Sequence, residues 1–172
     1  QSDFSFMAMS RERFWNGVLF DEAYLAFNGS FRPRGGMLFG LYARSGTQID
    51  LAATRRGRGN HIETWGNIDI GRGLNLDWSL VRQQLARDGG TAFRAALADV
   101  RLAWQIDPRQ RIRLALQGSD VIRDPALYLQ PVKRHSRDAA AQLIYSYKVN
   151  PRTALYAGTS FGAFMDDANP EL

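Results

Sequence analysis

The chain contains no cysteine, which removes disulfide frameworks, zinc–thiolate sites and thiol nucleophiles from consideration. It has no run approaching the roughly 18 to 20 consecutive apolar residues of a membrane-spanning helix, and its mean hydropathy is −0.33. That excludes a helical membrane protein but not a β-barrel, whose strands are only half apolar. The opening residues, QSDFSFMAMS, lack the basic start and apolar core of a secretory signal, so the chain reads either as cytosolic or as a mature or internal piece. Histidine is scarce too. His61 and His135 stand apart without a matching ligand set, so no metal, no cofactor and no catalytic residue is expected.

What is present is alternation. In AALADVRLAWQIDPRQRIRLALQGS, residues 95–119, Val100, Leu102, Trp104 and Ile106 alternate with Asp99, Arg101, Ala103 and Gln105. After Asp107-Pro108, Ile112, Leu114 and Leu116 alternate with Arg111, Arg113, Ala115 and Gln117. A period of two across a short break predicts a β-hairpin with one oily and one wet face. A soluble antiparallel sheet packs the oily face on a core, whereas a transmembrane barrel turns it to lipid and lines its lumen with the other. The hairpin alone does not choose between them.

The same rule predicts strands over 4–9, 22–32, 37–44, 61–70, 74–85, 139–149 and 153–164. With the hairpin this makes about nine, an all-β antiparallel up-and-down meander across residues 1–172 as one domain. Short turns at 33–36, 71–73, 107–109 and 150–152 alternate with longer connections at 45–60, 86–90, 120–137 and 165 onward, which predicts a tight-turn rim and a long-loop rim. Three of the short turns carry Pro-Arg, at Pro33, Pro108 and Pro151, where a fixed φ and a missing donor suit a turn. Tight turns on one side are the periplasmic feature of bacterial barrels. Trp104 and Tyr147 each lie four residues before a turn proline, the expected place of an aromatic girdle. An odd strand count would leave the sheet unclosed, with edges that lipid does not tolerate. The expectation is therefore a partial barrel, truncated at both ends, whose missing strands belong to the full-length chain.

The segments QIDLAATR (48–55), GRGLNLDWS (71–79), FRAALADVRLAWQIDPRQRIRLALQGSD (93–120) and AQLIYSYKVNPRTALYAGTS (141–160) resemble a known family. It is the C-terminal barrel region of large Gram-negative outer-membrane proteins, a barrel classed as a domain of unknown function. The resemblance spans roughly residues 36–164, with LIYSYKVNPRTALYAG its most specific piece. It implies a β-barrel in the cell outer membrane, in proteins that usually carry an N-terminal β-sandwich of the family 9 carbohydrate-binding type. Neither that domain nor the family's aromatic final strand is in this sequence, and the resemblance supplies no catalytic residues.

The candidate functional residues lie on the wet face: Arg101, Gln105, Arg111, Arg113, Gln117, Gln142 and Lys148. In a lumen, basic side chains favour anions and polar solutes; the bland reading is that they keep an interior wet. RRGRG at 55–59 reads as a solvated basic loop that otherwise contacts anionic lipopolysaccharide. Asp166-Asp167 reads as a solvated pair, since glycosidase work needs two carboxyls across a rigid cleft. The net charge of +5 is spread along strands instead of clustered with aromatics, so nucleic acid is not an expected partner. The leading expectation is an outer-membrane barrel fragment, not an enzyme, for passage or surface binding of polar solutes, with saccharides as the candidate solute and outer-membrane lipid as partner. The alternative is a soluble antiparallel β-protein that binds a carbohydrate-like ligand on its polar face.

Overall fold

The computed structural model describes residues 1–50, 54–87 and 90–166. Nine strands follow one another: β1 (Ser2–Trp15), β2 (Val18–Phe31), β3 (Met37–Asp50), β4 (Arg55–Gly71), β5 (Leu74–Arg87), β6 (Gly90–Gln105), β7 (Gln110–Arg123), β8 (His135–Asn150) and β9 (Thr153–Asp166). They make one antiparallel sheet in sequence order. β1 and β9 are its edges, and the sheet is not closed into a barrel. The all-β meander of nine strands is therefore as the alternation predicts.

Register carries the two-faced pattern across the sheet. Val100, Leu102 and Trp104 stand opposite Leu116, Leu114 and Ile112, while Asp99, Arg101 and Gln105 stand opposite Gln117, Ala115 and Arg111. Because cross-strand partners share a face, the apolar set continues to Leu74, Leu76 and Trp78 on one side and to Leu143 and Tyr145 on the other. We call this the outer face and the polar one the inner face. Trp104 and Tyr147 both lie on the outer face. Tyr145, however, shares the register row of Trp104 through Ile112, and Tyr147 lies two residues nearer the turn.

Strands are longer than their apolar alternation, which corrects several expected loops. The stretch 10–21 is the end of β1, the start of β2 and the two-residue turn Asn16-Gly17 between them. Both turn residues take positive φ, 48° and 82°, the geometry that matches hairpin twist and that Asn-Gly adopts readily. The expected connection 45–60 is mostly strand, since β3 runs to Asp50 and β4 starts at Arg55. RRGRG consequently lies in β4 and not in a loop. Likewise 120–137 shrinks to a connection over 124–134 that holds the short 3-10 turn Pro125–Leu127. The two rims are real, but the contrast in loop length is not general: among the described residues only 124–134 is long. In these segments polar residues such as Ser10, Glu12, Arg56, Arg58, Asp120 and Arg137 interrupt the apolar outer face while backbone pairing continues, so side-chain alternation stops marking the strand.

Two tryptophans fit over glycines on neighbouring strands. On the inner face Trp65 covers Gly40, where an added Cβ would lie 2.1 Å from the indole. On the outer face Trp78 covers Gly66 and meets Phe39 with ring centroids 5.7 Å apart.

Candidate functional site

The inner face holds the polar chemistry. All seven wet-face candidates occupy it, and their side-chain contacts divide them into two groups. Arg101 makes a two-pronged ion pair with Asp99, both contacts at 2.9 Å, and Gln117 donates to the same carboxylate at 2.7 Å. The Gln105 amide donates to the carbonyls of Asp107 and Gln110, so it holds the β6–β7 turn. Arg111, Arg113, Gln142 and Lys148 are exposed, and among the described residues no carboxylate pairs with the three cations. Arg111 and Lys148 join Arg109, Arg152 and Tyr156 around a recess of about 360 Å³ at the tight-turn rim. This is a basic, open surface with water access.

The opposite end of the inner face is built from paired charges. Arg11 meets the buried Glu22 at 2.7 Å. Arg87, 4% exposed, meets Asp50 at 2.6 Å. β4 lies between the strands of these two, so the contact crosses it. Burying such charges is tolerable only when they are paired and hydrogen-bonded.

The 124–134 connection folds onto this end. The Tyr128 ring lies 5.1 Å from the Arg87 guanidinium carbon, and its hydroxyl donates to the Ala92 carbonyl at 3.3 Å. Burial, and secondarily the Asp50 charge, push the Tyr128 hydroxyl above its ordinary pKa. Further along, Lys133 pairs with the buried Asp166 and sits 5.3 Å from the Phe164 ring centre. The connection thus touches β5 and β9, strands separated by three others. A hollow of about 650 Å³ bounded by Ser79, Asp99, Gln117, Asp138 and Phe164 likewise draws on β5 to β9, so the sheet curls toward its polar side.

Sequence reasoning missed Arg87, Tyr128 and Lys133. Asp166 was expected to be solvated, yet it is buried and paired; Asp167 lies outside the described residues. The missed residues fall beyond the apolar alternation, where only long-range pairing identifies them.

His61 lies on the inner face, 3.7 Å from Glu63, whereas His135 lies on the outer face, 2.8 Å from Asp120. No group of three or more potential metal ligands occurs among the described residues. In RRGRG, Arg56 and Arg58 point to the outer face and Gly57 and Gly59 to the inner. No family model, no curated protein and no solved structure matches the chain.

Proposed function

We propose that this chain is part of the wall of a transmembrane β-barrel in a Gram-negative outer membrane. The observation that carries the reading is an inversion of burial. Phe6, Leu25 and Phe161, on the outer face, are 83%, 67% and 69% exposed, and Leu80, Leu116 and Leu143 nearby are also exposed. The inner face instead buries Glu22, Asp50 and Asp166, together with Phe20, Ala26, Leu85 and Ala95. A soluble sheet places these sets the other way round, whereas a barrel puts apolar side chains toward lipid and polar ones inside. The apolar belt runs over about nine residues of β8, from Ala139 to Tyr147, close to the roughly 9 to 11 needed by a tilted transmembrane strand.

In this reading further strands cover the unpaired edges of β1 and β9, since open edges are not stable in hydrocarbon. The inner surface faces water, and Arg111, Arg113, Gln142 and Lys148 contact polar or anionic solutes, saccharides being the candidate class, during passage or binding. We assign it no enzymatic role.

The test is behaviour in detergent. The protein should require detergent for monodispersity and migrate differently in gels before and after heating. A detergent-free, monodisperse monomer would contradict it. If the barrel conducts, replacing Arg111, Arg113 and Lys148 with glutamate should shift its ion preference toward cations in planar bilayers.

A further inference from the structure

The outer face changes character part-way along the strands. On β5 to β8 its rows are apolar from Leu74, Trp104, Ile112 and Tyr145 up to Leu80, Ala98, Gly118 and Ala139. The next row holds Arg82, Ala96, Asp120 and Arg137, and the one after it Gln84, Arg94, Ile122 and His135. On β4 the same face carries Arg56 and Arg58. A charged collar therefore borders the apolar belt on the side away from the tight turns.

Charges in the collar are not balanced locally. Asp120 is engaged by Arg137 and His135, both at 2.8 Å, and Asp21 by Arg56 at 3.0 Å. Arg58, Arg82 and Arg94 are exposed and have no carboxylate partner among the described residues. Arg82 and Arg94 are diagonal cross-strand neighbours, with Arg82 opposite Ala96 and Gln84 opposite Arg94. Such neighbours lie roughly 7 to 8 Å apart, within reach of one phosphate group for two long side chains. Guanidinium is the cation best suited to bidentate phosphate contact.

We infer that Arg58, Arg82 and Arg94 form a docking site for the phosphate groups of a phosphate-bearing lipid in the surrounding leaflet. The site depends on the barrel reading, because only a lipid-facing belt brings headgroups to this height. Apolar rows beneath the arginines receive the acyl chains, and the guanidinium groups receive the phosphates. A free phosphate lacks the first of these contacts.

The experiment uses protein extracted from membranes in mild detergent, with lipid A bearing two phosphates as the probe. Binding is compared for the wild type and the triple variant Arg58→Glu, Arg82→Glu, Arg94→Glu, with Arg→Gln at the same sites as a gentler version. One surface arginine contributes roughly fivefold to partition onto anionic lipid, so three removed should weaken binding on the order of a hundredfold. Both variants should keep the heat-dependent gel shift of the wild type. Should the glutamate variant misfold, the glutamine variant must still lose binding. Unchanged lipid A binding by a folded variant would overturn the inference, as would equal competition by inorganic phosphate. If the wild type needs no detergent and shows no gel shift, the barrel reading fails first and this site falls with it.

Discussion

The two ends of the inner face spend their charge differently. At the tight-turn end, Arg111, Arg113 and Lys148 are exposed cations without carboxylate partners among the described residues. At the other end, Arg11–Glu22, Arg87–Asp50 and Lys133–Asp166 pair off, each with a buried carboxylate. Charges left open to water remain available to a solute; buried pairs hold structure. The first end is therefore the place to look for binding, and the second for stability.

The largest expected effect breaks the paired end. Arg87→Ala leaves the buried Asp50 carboxylate without its arginine and should cost about 3 to 5 kcal/mol, measured by denaturant unfolding in detergent. Arg113→Ala, at the open end, should leave the unfolding midpoint almost unchanged. A loss at Arg113 as large as that at Arg87 would erase the distinction.

Next in size is a contrast between faces on one strand. Leu114→Arg places a charge on the apolar belt and should destabilise the membrane-inserted protein by about 2 to 4 kcal/mol if it sits near the midplane. Ala115→Arg, one residue on and facing inward, should change stability little. The reverse order would mean that the polar face is the packed one.

The smallest effect concerns the β6–β7 turn. The backbone N–H of Arg109 donates to Asp107 at 2.7 Å and is the main reason its carboxyl is held below the ordinary value of 3.8, helped by Gln110. A lowered folded-state pKa stabilises above the unfolded value and loses that contribution as pH falls through the folded one. Acidification through and below the ordinary carboxylate range should loosen this hairpin, and Asp107→Asn should flatten the response, as read by amide exchange at Arg109 and Gln110.

The fold was largely legible because period two survives wherever one face is apolar: the strand count, the face of Leu102 and Leu114, and the seven wet-face residues all follow from it. Legibility ended where the outer face becomes polar. Ser10, Glu12, Arg56 and Arg58 look like loop residues in sequence, yet backbone hydrogen bonds that ignore side-chain polarity keep them in strands. The Asn16-Gly17 dipeptide was an available signal for the first hairpin. The Arg87–Asp50 contact was not, since its partners lie on β3 and β5, brought together only by the pairing of both strands with β4.

The central claim is that the outer face meets lipid and the inner face water. The chain has no native cysteine, so single thiols report on it without background. Leu102→Cys, Leu114→Cys and Leu143→Cys should resist a membrane-impermeant thiol reagent in intact membranes, while Arg101→Cys, Arg113→Cys and Gln142→Cys react. Fast labelling of the three leucine positions with protection of the other three would contradict the account.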